Sequence, residues 1–277
     1  AFDIATLVDR RRVLGVLGLG AAGLGLAACG GDASASGSTT SSTASSSTAL
    51  AEIPDETAGP YPGDGSNGAD VLEQSGVVRS DIRSSFGTST TTAEGVPMTL
   101  RLSIVDMASS NAPFEGVAVY VWHCNRDGEY SMYSEGITAE NYLRGVQVAD
   151  AEGVVTFTSI FPACYDGRWP HVHFEVYPDV ASTTDAANAI ATSQVAMPQA
   201  TCEAAYATTG YEQSVTNLAK VSLAADNVFG DDSGASQLPT VSGDATSGYT
   251  LALTVGVDTT TTPTGGGQPA SGGGAPG

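Results

Sequence analysis

His171-Val172-His173-Phe174-Glu175-Val176-Tyr177 is the stretch on which the reading of this chain turns. Val172, Phe174 and Val176 alternate with His171, His173 and Glu175. Period-two alternation puts the two sets on opposite faces of a strand, and a helix would mix them. The apolar face belongs on a core, so the imidazole face must look into a pocket or onto solvent. The chain has 277 residues and three His, so two on one strand face is a concentration. Just upstream runs Tyr165-Asp166-Gly167-Arg168-Trp169-Pro170. Two imidazoles close to a phenol and a guanidinium predict a metal site that handles an anionic aromatic substrate.

Similar patterns recur outward from that strand. Leu100, Leu102 and Ile104 alternate with Thr99, Arg101 and Ser103. Residues 117–122 form a β-branched and aromatic run, residues 154–161 repeat the pattern, and Tyr249, Leu251, Leu253 and Val255 alternate near the end. Gly- and Asp-bearing breaks at 126–128, 150–153 and 166–167 punctuate them. Short strands between turn signals predict an all-β fold, an antiparallel β-sandwich with long loops and little helix. One short helix is expected after Pro198, over 199–208.

The ends read differently. Arg10, Arg11 and Arg12 precede a weakly apolar Gly/Leu/Ala run over 13–28 that ends Leu26-Ala27-Ala28-Cys29. Residues 1–28 thus have the charged, apolar and small-residue regions of an export signal. Leu-Ala-Ala-Cys resembles a bacterial lipobox, and the arginines resemble a twin-arginine signal. The chain is expected to be exported and lipid-anchored at the outer face of a bacterial cell membrane through Cys29. Residues 29–51 read as a flexible Ser/Thr-rich tether, 52–258 as the folded domain, and 259–277 as a disordered Thr/Gly/Pro tail. A net charge of −20 argues against nucleic acid and against an anionic membrane surface as partners. The oligomeric state stays open. Cys124, Cys164 and Cys202 remain, and in an oxidising compartment two should pair. Cys124–Cys202 is favoured, because Cys164 abuts the proposed site.

Two readings of the chemistry are open on residues alone. His171, His173 and a carboxylate, Glu175 or Asp166, would suit zinc and hydrolysis. A phenolate ligand is a hard anionic oxygen donor and would favour a trivalent ion, whose charge would lower the phenol pKa. Tyr130, Tyr133 and Tyr142 compete with Tyr165 for that role. Trp122 and Trp169 are core and pocket-wall residues, His123 a strand or supporting residue, and Arg144 a structural residue pairing with a carboxylate. Tyr61 is placed at the pocket mouth.

The segments Val121-Trp122-His123-Cys124-Asn125-Arg126-Asp127-Gly128-Glu129-Tyr130-Ser131 and Leu143-Arg144-Gly145-Val146-Gln147 resemble the intradiol ring-cleavage dioxygenases. So do Thr158-Ser159-Ile160-Phe161-Pro162-Ala163-Cys164-Tyr165, Gly167-Arg168-Trp169-Pro170-His171-Val172-His173-Phe174, and Gly59-Pro60-Tyr61 upstream. The resemblance covers about 56–211 and points to the short exported type. It implies one non-haem Fe(III) per chain, held by Tyr130, Tyr165, His171 and His173. Tyr130 leads its rivals because it keeps the Gly-x-Tyr-Ser context. Arg168 would stabilise charge on the substrate ring, Tyr165 would take a proton, and Gln194 would help orient substrate or oxygen. The implied substrates are a small aromatic diol and O2, and the product is a cis,cis-muconate-type diacid. The alternative is a non-catalytic β-sandwich lipoprotein that binds a metal or a phenolic ligand. Only five residues separate Tyr165 from His171, fewer than in the well-known members, which implies a more open pocket.

Overall fold

The computed structural model describes residues 50–266. In chain order the strands are β1 (Pro97–Asp106), β2 (Ala112–Pro113), β3 (Ala118–Trp122), β4 (Arg144–Val148), β5 (Val154–Ile160), β6 (His171–Tyr177), β7 (Ala191–Ala196), β8 (Thr240–Asp244) and β9 (Gly248–Val257). They form two sheets. The first runs β2-β1-β9-β8, with β5 also paired to β1. The second runs β4-β3-β6-β7 and is antiparallel throughout. The expected all-β architecture is therefore present. One pair departs from the antiparallel rule, since β1 and β9 run parallel.

The alternation that marks the strands explains the packing. Leu100, Leu102, Val155, Phe157, Leu251 and Val255 of the first sheet share one buried cluster with Val119, Val121, Val172, Phe174 and Val176 of the second. Each such side chain contributes roughly 1.5–3 kcal/mol by leaving water. The opposite face of the second sheet is buried too. Ala118, Tyr120, Trp122, Val146 and Tyr177 pack there under Ala58, Val71, Leu72, Val77 and Tyr130. The long loops before β1 and between β3 and β4 thus act as a cover. All seven residues of β6 are buried, including the His face.

The helix expected after Pro198 is α1 (Gln199–Tyr206). A second helix, α2 (Glu212–Leu218), had no sequence signal strong enough to announce it. Among the described residues, no helix is long and apolar enough to cross a membrane. Thr264 and Gly266, in the stretch read as a tail, bond through their backbone N–H groups to Asp55 and Glu56. The segments 1–49 and 267–277, with the export signal, Cys29 and most of the tail, lie outside the described residues.

Candidate metal centre

β6 lies between β3 and β7, and the register puts Trp122, His173 and Gln194 side by side across the three strands. His173 stacks on Trp122 with ring centroids 4.8 Å apart and planes within 5°. His171, two residues earlier, points to the same face. Its Nδ1 lies 2.5 Å from the Trp169 carbonyl, which accepts its proton and leaves the Nε2 lone pair for the pocket. The two Nε2 atoms are 3.1 Å apart. His173 Nδ1 is buried without a hydrogen-bond partner.

The phenols come from loops on either side. Asn125 Oδ1 accepts from the N–H groups of Asp127 and Glu129, shaping the turn that precedes Tyr130. Gly128 has φ +89, and a Cβ there would sit 3.1 Å from Tyr165 Cβ, so glycine lets the two phenol-bearing loops approach. Cys164, next to Tyr165, is clamped by Ser214 and Asn217 of α2. Tyr165 OH ends 3.3 Å from His171 Nε2. The Tyr130 ring lies 6.0 Å from that of Tyr165 and 6.5 Å from that of His173. Its hydroxyl is buried with no hydrogen-bond partner among the described residues. A buried orphan hydroxyl is costly unless something supplies a partner.

The rival phenols are engaged elsewhere. Tyr133 OH donates to Asn67 and accepts from Gly63 N–H, both at 2.8 Å. Tyr142 packs with Ala93, Leu143 and Ile160 and meets Asn125. Tyr61 packs against Tyr130, with centroids 4.8 Å apart and planes tilted by 33°. Gly59 brings that segment over the pocket. Its φ is +72, and a Cβ there would lie 3.3 Å from His173 Cε1.

Burial pushes the His171 pKa down to about 3, and nearby Arg168 adds to the effect. Burial, with His171 alongside, holds His173 well below the usual imidazole range. Both rings are therefore neutral and available as donors. Burial also raises Tyr130 well above a free phenol and pushes Tyr165 up to about 12. Neither ionises at neutral pH unless a cation is close. Two neutral imidazoles and two phenols, one of them an orphan, fit a trivalent iron ion, which would ionise the phenols and satisfy the orphan.

Arg168 is committed on one side. Nε and Nη2 reach Asp226 at 3.0 and 3.2 Å, and Nη2 also donates to Gln194 Oε1 at 2.9 Å. Gln194 Nε2 donates to Thr57 O. Nη1 has no hydrogen-bond partner among the described residues. Asp226 also accepts from the backbone N–H of Trp169, Val228 and Phe229. Burial opposes its charge, but the Arg168 guanidinium and these donors hold its carboxyl below the usual range. Asp226, Thr57 and Phe229 are not evident from sequence. Asp226 lies 58 residues from Arg168, with no local motif linking them.

Several expectations change. Among the described residues, no three His, Cys, Asp or Glu side chains gather as a metal cluster, which removes the zinc reading. Glu175 accepts from Tyr177, and Asp166 pairs with exposed Lys220. Cys124, Cys164 and Cys202 are free buried thiols, so the expected Cys124–Cys202 disulfide is not formed. Cys124 sits in the loop-covered cluster and Cys202 in the core between the sheets. His123 has both ring nitrogens engaged, with Cys124 O and Ser159 Oγ. Among the described residues, Arg144 pairs with no carboxylate. Buried, it bonds the carbonyls of Pro62, Tyr61 and Ser131 and the hydroxyls of Tyr120 and Ser131, tying the Tyr61 and Tyr130 loops together.

A family model described as Dioxygenase matches residues 79–172. Chlorocatechol 1,2-dioxygenase of Rhodococcus opacus is 36% identical over 58 residues, 21% of this chain and 23% of that protein. Catechol 1,2-dioxygenase of Pseudomonas sp. (strain EST1001) is 36% identical over 72 residues, 26% of this chain and 23% of that protein. The match thus spans about a quarter of each relative's length. The solved structure of an intradiol ring-cleavage dioxygenase from Tetranychus urticae superposes with a TM-score of 0.60 at 21% identity, covering 77% of this chain and 98% of that one. The resemblance to the intradiol ring-cleavage dioxygenases therefore holds, in local sequence over 79–172 and in fold.

Proposed function

We propose that this protein is a non-haem Fe(III)-dependent intradiol dioxygenase. It inserts both atoms of O2 into a catechol-type diol and opens the ring between the hydroxyl-bearing carbons to a cis,cis-muconate-type diacid. One observation carries the reading: two neutral imidazoles, the buried Tyr130 phenol and the half-buried Tyr165 phenol converge, and among the described residues the Tyr130 hydroxyl and His173 Nδ1 have no hydrogen-bond partner. When bound, iron would act as a Lewis acid and template that makes the diol reactive toward O2.

The chain's own groups supply the rest. His171, His173, Tyr130 and Tyr165 would hold the ion. Tyr165, the less buried phenol at the start of the short loop, would take a proton from an arriving diol once the bound ion has ionised it. Arg168 keeps Nη1 available to negative charge developing on the ring, a donor fixed in place by Asp226 and Gln194. Tyr61 packs against Tyr130 and Phe229 against His171, and these rings would limit water at the site.

Purified iron-loaded protein is expected to show a tyrosinate–Fe(III) charge-transfer colour and to consume O2 with catechol. Iron-replete protein without the colour would sink the reading. Tyr165→Phe and His173→Ala should lose iron or turnover. A coloured protein that takes up no O2 with any catechol would instead favour the non-catalytic binding reading. Export and lipid attachment at Cys29 belong to the same proposal, and Cys29→Ala should release the protein from the membrane fraction.

A further inference from the structure

The charges around the pocket do not balance in favour of an anionic ring. Arg168 meets Asp226 through two nitrogens, and the Asp226 side chain is fully buried. Asp231 adds an acidic group on the same side, and Glu56, whose pKa burial raises to about 7, adds only a partial one at neutral pH; Glu56 interacts electrostatically with Asp231, Arg168 and Asp226. The other cations near the site residues are engaged. Arg144 keeps its charge but gives its N–H groups to five neutral backbone and hydroxyl oxygens, so it offers no donor to a carboxylate in the pocket. Lys220 pairs with Asp166 at the surface. The protein's net charge of −20 acts in the same sense at longer range. A carboxylate leaving water needs a charge-assisted donor, and the available one, Arg168, is already neutralised by a carboxylate.

We propose that Asp226 sets the specificity of this pocket: by pairing Arg168 it makes the site select uncharged ortho-diols and reject diols carrying a ring carboxylate. This rests on the ring-cleavage reading and goes beyond it by assigning the substrate's charge and the residue that decides it. Asp226 is a positioning residue. It holds the Arg168 guanidinium so that Nη1 stays available to the ring, and it fixes the backbone at Trp169.

The test is anaerobic calorimetry on iron-loaded protein with catechol and protocatechuate, which differ by one carboxylate. Catechol should bind at least ~10-fold tighter, and the gap should shrink ~2-fold or more as salt rises from about 0.05 to 0.5 M, because charge repulsion is screened and steric exclusion is not. Asp226→Asn should narrow the ratio at least ~5-fold by improving protocatechuate binding, and Asp226→Glu should restore it. A merely structural role would weaken both ligands together. Equal binding of the two diols by the wild type, a salt-independent gap, or an unchanged ratio in folded Asp226→Asn would overturn the proposal. If that variant does not fold, the wild-type ratio and its salt dependence decide. Turnover of catechol in an oxygen electrode separates the two failures: with turnover and no charge discrimination, only the Asp226 assignment falls, and with no binding of either diol, both fall.

Discussion

Trp122 and His173 face each other across β3 and β6 and stack with their planes within 5°. The indole is buried and its Nε1 has no hydrogen-bond partner, so it serves as a flat wall that fixes the imidazole plane. Trp122→Phe keeps an aromatic face and removes the orphan N–H; it should retain iron. Trp122→Leu loses the stack, should cost about 3 kcal/mol, and should lower iron content. Metal analysis beside thermal melts checks both, and equal iron content in the two variants would contradict the role given to the stack.

Tyr130 separates a ligand from a core residue. Its hydroxyl is buried and unpartnered, so Tyr130→Phe should leave iron-free protein as stable as the wild type or more stable by about 1 kcal/mol. The same change should reduce iron loading and shift the charge-transfer band. A destabilised iron-free variant would mean that the hydroxyl has a partner in solution.

Gly59 is the hinge of the segment laid over His173. With φ at +72 and a Cβ position 3.3 Å from His173 Cε1, Gly59→Ala should cost about 1 kcal/mol in backbone conformation and press on the ring. Weaker iron binding, measured against a chelator of known affinity, is the expected result. Unchanged affinity would show that the loop gives way instead of the ring.

Glu56 predicts a pH dependence. Burial raises its pKa from 4.5 to about 7, with Gln237 opposing the shift and Asp231 adding to it. The folded state thus holds the proton more tightly than the unfolded chain. Its contribution is fully present below about 4.5 and is lost as pH rises through about 7. Denaturant unfolding of the wild type should show this decline, and Glu56→Gln should flatten it. An identical slope in the variant would remove Glu56 as the source.

The three thiols make a simple chemical prediction. Cys124, Cys164 and Cys202 are buried, and burial raises the pKa of each, so they should resist maleimide in folded protein. All three should label after denaturation without reductant, as read by peptide mapping. Labelling of only one would reveal a disulfide.

Much of the fold was legible because half-buried strands write their burial into the sequence. β1, β5, β6 and β9 each alternate or run apolar over their length. β8 was not legible, because all five of its residues are exposed. β7 was missed for the opposite reason: all six of its residues are buried, and Thr192, Ser193 and Gln194 give no apolar alternation. The Cys124–Cys202 disulfide expected from sequence is not formed, because pairing depends on which cluster each Cys joins, a property absent from spacing.

The sequence by itself determined that His171 and His173 share one strand face, since two residues apart on a strand can do nothing else. It also placed Tyr130, Tyr165 and Arg168 in recognisable local contexts. Only the tertiary structure decided that this face lies buried under loops, with two phenols converging on it and the rival Tyr133 and Tyr142 engaged elsewhere. It alone brought Asp226 to Arg168 across 58 residues. Contacts between distant segments are set by packing and electrostatics after the chain has folded, and no local pattern encodes them.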